Sequence, residues 1–169
     1  LLRSRTVRAE TVLAIYVGRA RDPLGLALLG QDGKLQHHTV LHASPDWGKR
    51  LERFIEDHSP EQAVLPSDGP APRMLQGVAR RLPPRLPATR VRRAALDLAR
   101  RTLTDIPDDL PPVVQAAVAL GRRALDPAGE WGRLDADKIS LVDHQELVSA
   151  DRLTEALLEA RLTRTAGGP

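Results

Sequence analysis

Nine arginines stand between residues 73 and 101, namely Arg73, Arg80, Arg81, Arg85, Arg90, Arg92, Arg93, Arg100 and Arg101, against a single acid, Asp97. A guanidinium pairs bidentately with a phosphate, and each phosphate neutralised on a nucleic acid releases counterions, so this block suits phosphate binding. The alternative for the same residues is a solvated surface that pairs with the acidic C-terminal part. From Asp105 to Glu159 twelve acids face five basic residues. The two regions are thus opposed in sign although the net charge is only +3.

Other chemistry finds less support. There is no cysteine, which excludes disulfides, thiol nucleophiles and cysteine-bound zinc. His37 and His38 alternate across a predicted strand and so face opposite sides, while His42, His58 and His144 show no ligand spacing. Gly18 and Gly25 fit neither a P-loop nor a dinucleotide fingerprint and read as turn residues. No metal and no cofactor are expected. Tyr16, Trp47, Phe54 and Trp131 are the only large rings, so base stacking on exposed aromatics is not expected either.

The elements that must position the arginines follow from pattern. Thr11 to Val17 and Leu24 to Leu29 are β-prone runs, and Gln31-Asp32-Gly33 signals a turn into a polar edge strand from Lys34 to Leu41. Ser44-Pro45-Asp46 opens a helix carrying Trp47, Leu51, Phe54 and Ile55 at helical spacing. Gln62 to Leu65 predicts a buried strand, Arg73 to Leu82 a helix, Arg85 to Val91 a strand and Arg92 to Leu103 a helix. A further helix starts at Pro111-Pro112 with an apolar stripe of Val113, Ala117, Leu120 and Ala124, and ends near Asp126-Pro127. Ser149 caps a last helix through Leu153, Ala156, Leu157 and Ala160. The order is that of one α/β domain with a mixed sheet, three antiparallel strands followed by parallel strands with flanking helices.

The stretch Gly121 to Gln145 resembles the segment that follows the YqgF-type, ribonuclease H-like core of the Tex family of transcription accessory proteins. Arg122, Arg123, Asp126, Pro127, Glu130, Asp135, Ile139, Gln145 and Val148 fall on that family's pattern without a gap. Asp46-Trp47 and Asp32-Gly33-Lys34-Leu35 resemble it upstream, so the likeness covers roughly residues 12 to 148. It implies a ribonuclease H-like (YqgF/RuvC-type) domain over 1–148, a C-terminal helix over 149–163 packed on it, and a disordered tail over 164–169. Arg122, Arg123 and Asp126 would form a structural ion-pair network that fixes the final helix.

The departures from the family bear on activity. Where it has Asp-Pro-Gly on the first strand, this chain has Tyr16-Val17-Gly18, and the region of the fourth-strand acid reads Thr89-Arg90-Val91-Arg92-Arg93. Nucleases of this type need several carboxylates on two metal ions, and a tyrosine and an arginine cannot hold them. Asp22, Asp97, Asp108 and Asp109 are the acids from which such a site would have to be rebuilt. The expectation is a nuclease-like domain without catalysis that binds RNA or DNA or serves as a scaffold in a transcription-related protein. Arg90, Arg92 and Arg93, near a strand end where α/β ligands sit, are the preferred contacts, and Arg73, Arg80, Arg81 and Arg85 are further ones. The alternative is a protein-interaction module that uses the edge strand or the acidic C-terminal part, and a weaker one is a metal-dependent nuclease. The longest apolar runs fall short of the roughly 20 residues of a membrane helix, so no membrane partner is expected and the location is taken as cytoplasmic. With Met74 as the only methionine, the chain reads as a piece of a longer protein.

Overall fold

A computed structural model describes residues 9–19, 21–93, 96–101, 103, 105–107 and 109–127 of the chain. Residues 1–8, most of the Gly121 to Gln145 resemblance, the expected C-terminal helix and the tail lie outside the described residues.

Five strands form one sheet in the order β3-β2-β1-β4-β5. Strands β1 (Thr11–Tyr16), β2 (Leu24–Gly30) and β3 (Leu35–Leu41) run antiparallel to their neighbours, whereas β4 (Gln62–Pro66) pairs parallel to β1 and β5 (Ala88–Val91) parallel to β4. This is the mixed arrangement, three antiparallel strands followed by parallel ones, that the sequence leads one to expect. The parallel pairs need crossovers, and helices α1 (Trp47–His58) and α2 (Pro72–Arg81) supply them.

Alternation along the strands assigns each face. Leu13, Ile15, Val17, Leu24, Leu26, Leu28, Ala63 and Leu65 point to the side covered by Leu51 and Ile55 of α1 and Leu75 and Val78 of α2. Val12, Ala14, Ala27, Leu29 and Val64 point to the other side, against α4 (Pro112–Leu125) and α3 (Leu96–Arg101). Every residue of β2 is buried, so that strand reads as a continuous apolar run.

The hairpin between β2 and β3 depends on Gly33, whose φ of 75° an L side chain rarely adopts. The Gly33 N–H donates to the Gly30 carbonyl at 2.9 Å, and the Asp32 carboxylate accepts from the Lys34 N–H at 3.1 Å. That backbone donor, followed by the Lys34 ammonium, holds Asp32 below its ordinary value of 3.8. Asp46 is lowered likewise, chiefly by the Ser44 hydroxyl donating at 2.5 Å. A depressed carboxylate contributes stability above its unfolded value and loses it as pH falls through the folded one. Urea midpoints taken between about pH 5 and pH 2 should therefore fall toward acid, and less steeply in Asp32→Asn. Identical profiles for the two proteins would refute this role for Asp32.

Three expectations need correction. Strand β5 begins at Ala88 rather than Arg85, because the Leu86 N–H closes a turn onto the Pro83 carbonyl and Pro87 has no N–H to donate. Helix α3 begins at Leu96 rather than Arg92. Helix α4 has no single stripe: from Ala116 to Leu125 every residue is buried, Arg122 and Arg123 included. It lies against β1 and β2 on one side and α3 on another, which a two-sided reading of its pattern misses.

Candidate nucleic-acid interface

Parallel pairing brings the carboxyl ends of β1, β4 and β5 to one edge of the sheet. From β1 the chain turns toward β2, and from β4 it leaves through α2 toward β5, so neighbouring connections diverge at this edge. Open α/β sheets place ligands at such a divergence. The segments that meet there are 17–23, 67–71 and 92–93.

Arg93 fills the gap between them. Its Nη2 donates to the Tyr16 hydroxyl at 2.6 Å, its Nη1 reaches toward the Val17 carbonyl at 3.5 Å, and its guanidinium carbon lies 4.9 Å from the centroid of the Tyr16 ring. The contact is a cation over an aromatic face with a hydrogen bond at its rim. The backbone around it is tied down as well. The Arg93 N–H donates to the Asp68 carboxylate at 3.0 Å and the Ser67 N–H to the Val91 carbonyl at 2.8 Å. These bonds keep Arg92 and Arg93 out of the helix that follows. Gly69 completes the cradle, because a Cβ there would stand 2.7 Å from Arg93 Nη1, and its φ of 154° further disfavours a side chain.

The arginine block divides in space. Arg90 and Arg92 are exposed beside Arg93, and Arg73 is exposed in the first turn of α2, directly after the 67–71 loop. Arg90 Nη1 lies 3.5 Å from the Pro66 carbonyl, and the Arg92 carbonyl accepts from Arg123 Nη1 at 3.0 Å. Arg80, Arg81 and Arg85 lie at or beyond the far end of α2, on the return toward the start of β5. Arg81 packs against α1, pairing with Glu52 at 2.9 Å and lying 5.1 Å from the centroid of the Trp47 ring. Its first partners are therefore structural.

Among the acids, the Asp22 carboxylate accepts from the Arg19 N–H at 2.8 Å and so closes the loop after β1, and Asp109 is exposed. The Asp97 side chain and Asp108 lie outside the described residues. Among the described residues no group of three or more histidines and acids is placed to hold a metal ion. Two carboxylates, Asp22 and Asp68, do lie in the segments at this edge, each accepting from a backbone N–H, and a guanidinium on a tyrosine beside them does not suit a divalent cation. Sequence reasoning missed the Tyr16–Arg93 contact and the part of Asp68 in it. The usable signal was that Tyr16 ends one predicted strand and Arg93 follows the end of another.

Of the residues in the expected ion-pair network, Arg122 pairs with Asp105. Arg122 Nη1 and Nη2 each lie 2.8 Å from one oxygen of Asp105, and Nε donates to the Gly33 carbonyl at 3.0 Å. A cleft of about 290 Å³ lies here, lined by Asp32, Gly33, Asp105, Arg122 and Asp126. Asp126 joins Arg122 through its backbone N–H, which donates to the Arg122 carbonyl at 2.7 Å.

No family model and no curated protein matches the sequence. Among solved structures the chain is similar to Thermus thermophilus RuvC in complex with a Holliday junction substrate, at 16% identity and a TM-score of 0.47, covering 66% of this chain and 90% of that one. A second Thermus thermophilus RuvC structure matches at 14% identity with the same TM-score and coverage. Among the described residues no helix is long and apolar enough to cross a membrane.

Proposed function

We propose that this chain is a nucleic-acid-binding domain of ribonuclease H-like architecture that does not hydrolyse what it binds, part of a transcription-related protein similar to Tex. The observation that carries the reading is Arg93 lodged on Tyr16 at the carboxyl ends of β1 and β4. A fixed cation there attracts phosphate, while hydrolysis by the two-metal route asks for several converging carboxylates at the same place, where Asp22 and Asp68 are engaged by backbone N–H groups and Arg93 brings the opposite charge. Arg73, Arg90 and Arg92 extend the positive edge along the strand ends.

Fluorescence anisotropy with labelled single-stranded RNA, single-stranded DNA, duplex and a four-way junction, across a salt series, tests the reading. Binding should weaken steeply with salt, each phosphate contact adding about 0.7 to 0.9 to the slope of log affinity against log salt. The triple change Arg90→Ala, Arg92→Ala and Arg93→Ala should remove about two to three of those units. Gels run after incubation with magnesium or manganese should show intact nucleic acid, and cleavage would refute the non-catalytic reading. If nothing binds at low salt, the reading fails in favour of a protein partner. Among the described residues the outer edge of β3 pairs with no further strand, and with Gln36, His37 and His38 exposed it supports that second reading.

A further inference from the structure

We infer that the Arg93 guanidinium occupies the role a divalent cation would otherwise play, so that the cleft between segments 67–71 and 92–93 at the carboxyl ends of β1 and β4 takes one phosphate group of a nucleic acid directly and without metal. The inference rests on the nucleic-acid-binding reading and makes it specific to one residue. Three observations carry it.

First, the guanidinium is held in place before any ligand arrives. The Tyr16 hydroxyl fixes one end at 2.6 Å, the Tyr16 ring lies along it, and the main chain of Arg93 is pinned by Asp68. A side chain already ordered loses less entropy on binding than a free surface arginine does. Second, among the described residues no ion pair neutralises the charge. Among the described residues no carboxylate comes within ion-pair distance of Arg93, and Asp68 accepts from its backbone N–H rather than from its side chain. A half-buried cation with no acid against it attracts an anion more strongly than one in open water. Third, donors remain. A guanidinium has five N–H groups, and the two contacts to Tyr16 and Val17 go to neutral oxygens and use one N–H of each terminal nitrogen, leaving three. Gly69 leaves space beside Nη1 that a Cβ would fill.

The other arginines do not share this combination. Arg81 is engaged by Glu52, and Arg122 by Asp105. Arg53, exposed on α1 with Asp57 at 3.9 Å, carries the same charge away from the cleft and serves as the control.

The test measures oligonucleotide affinity for wild type, Arg93→Gln, Arg53→Gln and Tyr16→Phe at matched ionic strength, with magnesium and with EDTA. Arg93→Gln should lose about tenfold or more, the usual scale for one charge-assisted contact, and Arg53→Gln less than about twofold. EDTA should leave the wild type unchanged. Tyr16→Phe, which keeps the ring and loses the hydroxyl, should fall between the two substitutions. The Arg93 Nε resonance followed by NMR gives a second readout that needs no substitution, and it should move on adding the oligonucleotide. If Arg93→Gln behaves like Arg53→Gln while wild type still binds in a salt-dependent way, the metal-substitute role is overturned and the binding reading stands. A requirement for magnesium, or an Nε resonance that stays still, overturns it equally. If inorganic phosphate at low millimolar concentration moves that resonance as far as the oligonucleotide does, the ligand is a free phosphate and the nucleic-acid assignment fails. Absence of all oligonucleotide binding removes both readings together.

Discussion

Gly25→Ala is expected to cost about 3 kcal/mol or more, the upper end of the range for overpacking, and to leave much of the protein unfolded. Gly25 lies in β2, paired with Tyr16 on one side and Val40 on the other, so it cannot move without disturbing three strands. A Cβ there would stand 2.0 Å from the Val113 carbonyl oxygen and 2.4 Å from its carbon. Both atoms are backbone at the start of α4, and no rotamer change relieves the overlap. The helix would have to lift from the sheet, and with it Val114, Ala117, Val118 and Leu120, all at 0% exposure. Gly48→Ala makes the contrast. There the new Cβ meets only the Arg81 guanidinium at 2.2–2.4 Å, the far end of a flexible chain that can swing into solvent. The loss of an exposed Glu52 pair and the gain in helix propensity should nearly cancel, within about 1 kcal/mol. Urea unfolding followed by circular dichroism separates the two, and a wild-type midpoint for Gly25→Ala would show that α4 does not approach β2 so closely.

Arg122→Ala should cost about 3 kcal/mol, measured by the same denaturation. The guanidinium is buried, 9% exposed at the side chain, and its fork holds Asp105 by two bonds while Nε serves the Gly33 carbonyl. Asp105 is 59% exposed and can regain water, which places the loss at the low end of the range for broken buried pairs. The other contribution is local. Gly33 shapes the β2–β3 hairpin, and removing its donor leaves that carbonyl without Nε while opening a void where the stem packed. Arg122→Met, which restores the stem, should recover part of the loss. If Met and Ala variants are equally unstable, packing contributes little and the polar contacts account for the effect. If neither is destabilised, the bridge contributes nothing net.

Much of this architecture could be read from the sequence because the hydrophobic pattern specified it twice, by period and by punctuation. The continuous β-prone run in Thr11–Tyr16 and the Asp32-Gly33 turn mark the first strands, and the Pro-Pro pair at 111–112 marks the start of α4. The pattern failed where tertiary bonds override it. Arg92 and Arg93 read as the first turn of a helix, yet the bond from the Arg93 N–H to Asp68 holds them extended. Helix α4 read as carrying one apolar stripe because its other alanines carry no sign of which side is covered; burial from Ala116 to Leu125 comes from what packs there. The site was legible as a composition, an excess of arginine, but not as an arrangement. Nothing in the chain order links Tyr16 to Arg93 across 77 residues, or separates Arg93 from Arg81, whose partners lie on another helix.

The span from Gly33 to Arg122 is 89 residues, the widest separation among the hydrogen bonds described above. The three antiparallel strands are joined by short turns, so their pairing needs little loop closure and can begin early. Docking of α4 must wait until most of the chain has condensed, which makes it a late event in folding. Substitutions in the β1–β2 hairpin should accordingly slow folding, whereas Arg122→Ala should chiefly speed unfolding, a division that stopped-flow chevrons would show. During that interval the apolar face formed by Val12, Ala14, Ala27 and Leu29 stands uncovered. Synthesis from the N-terminus extends the exposure, because the ribosome releases the sheet strands before it releases the helix that covers them.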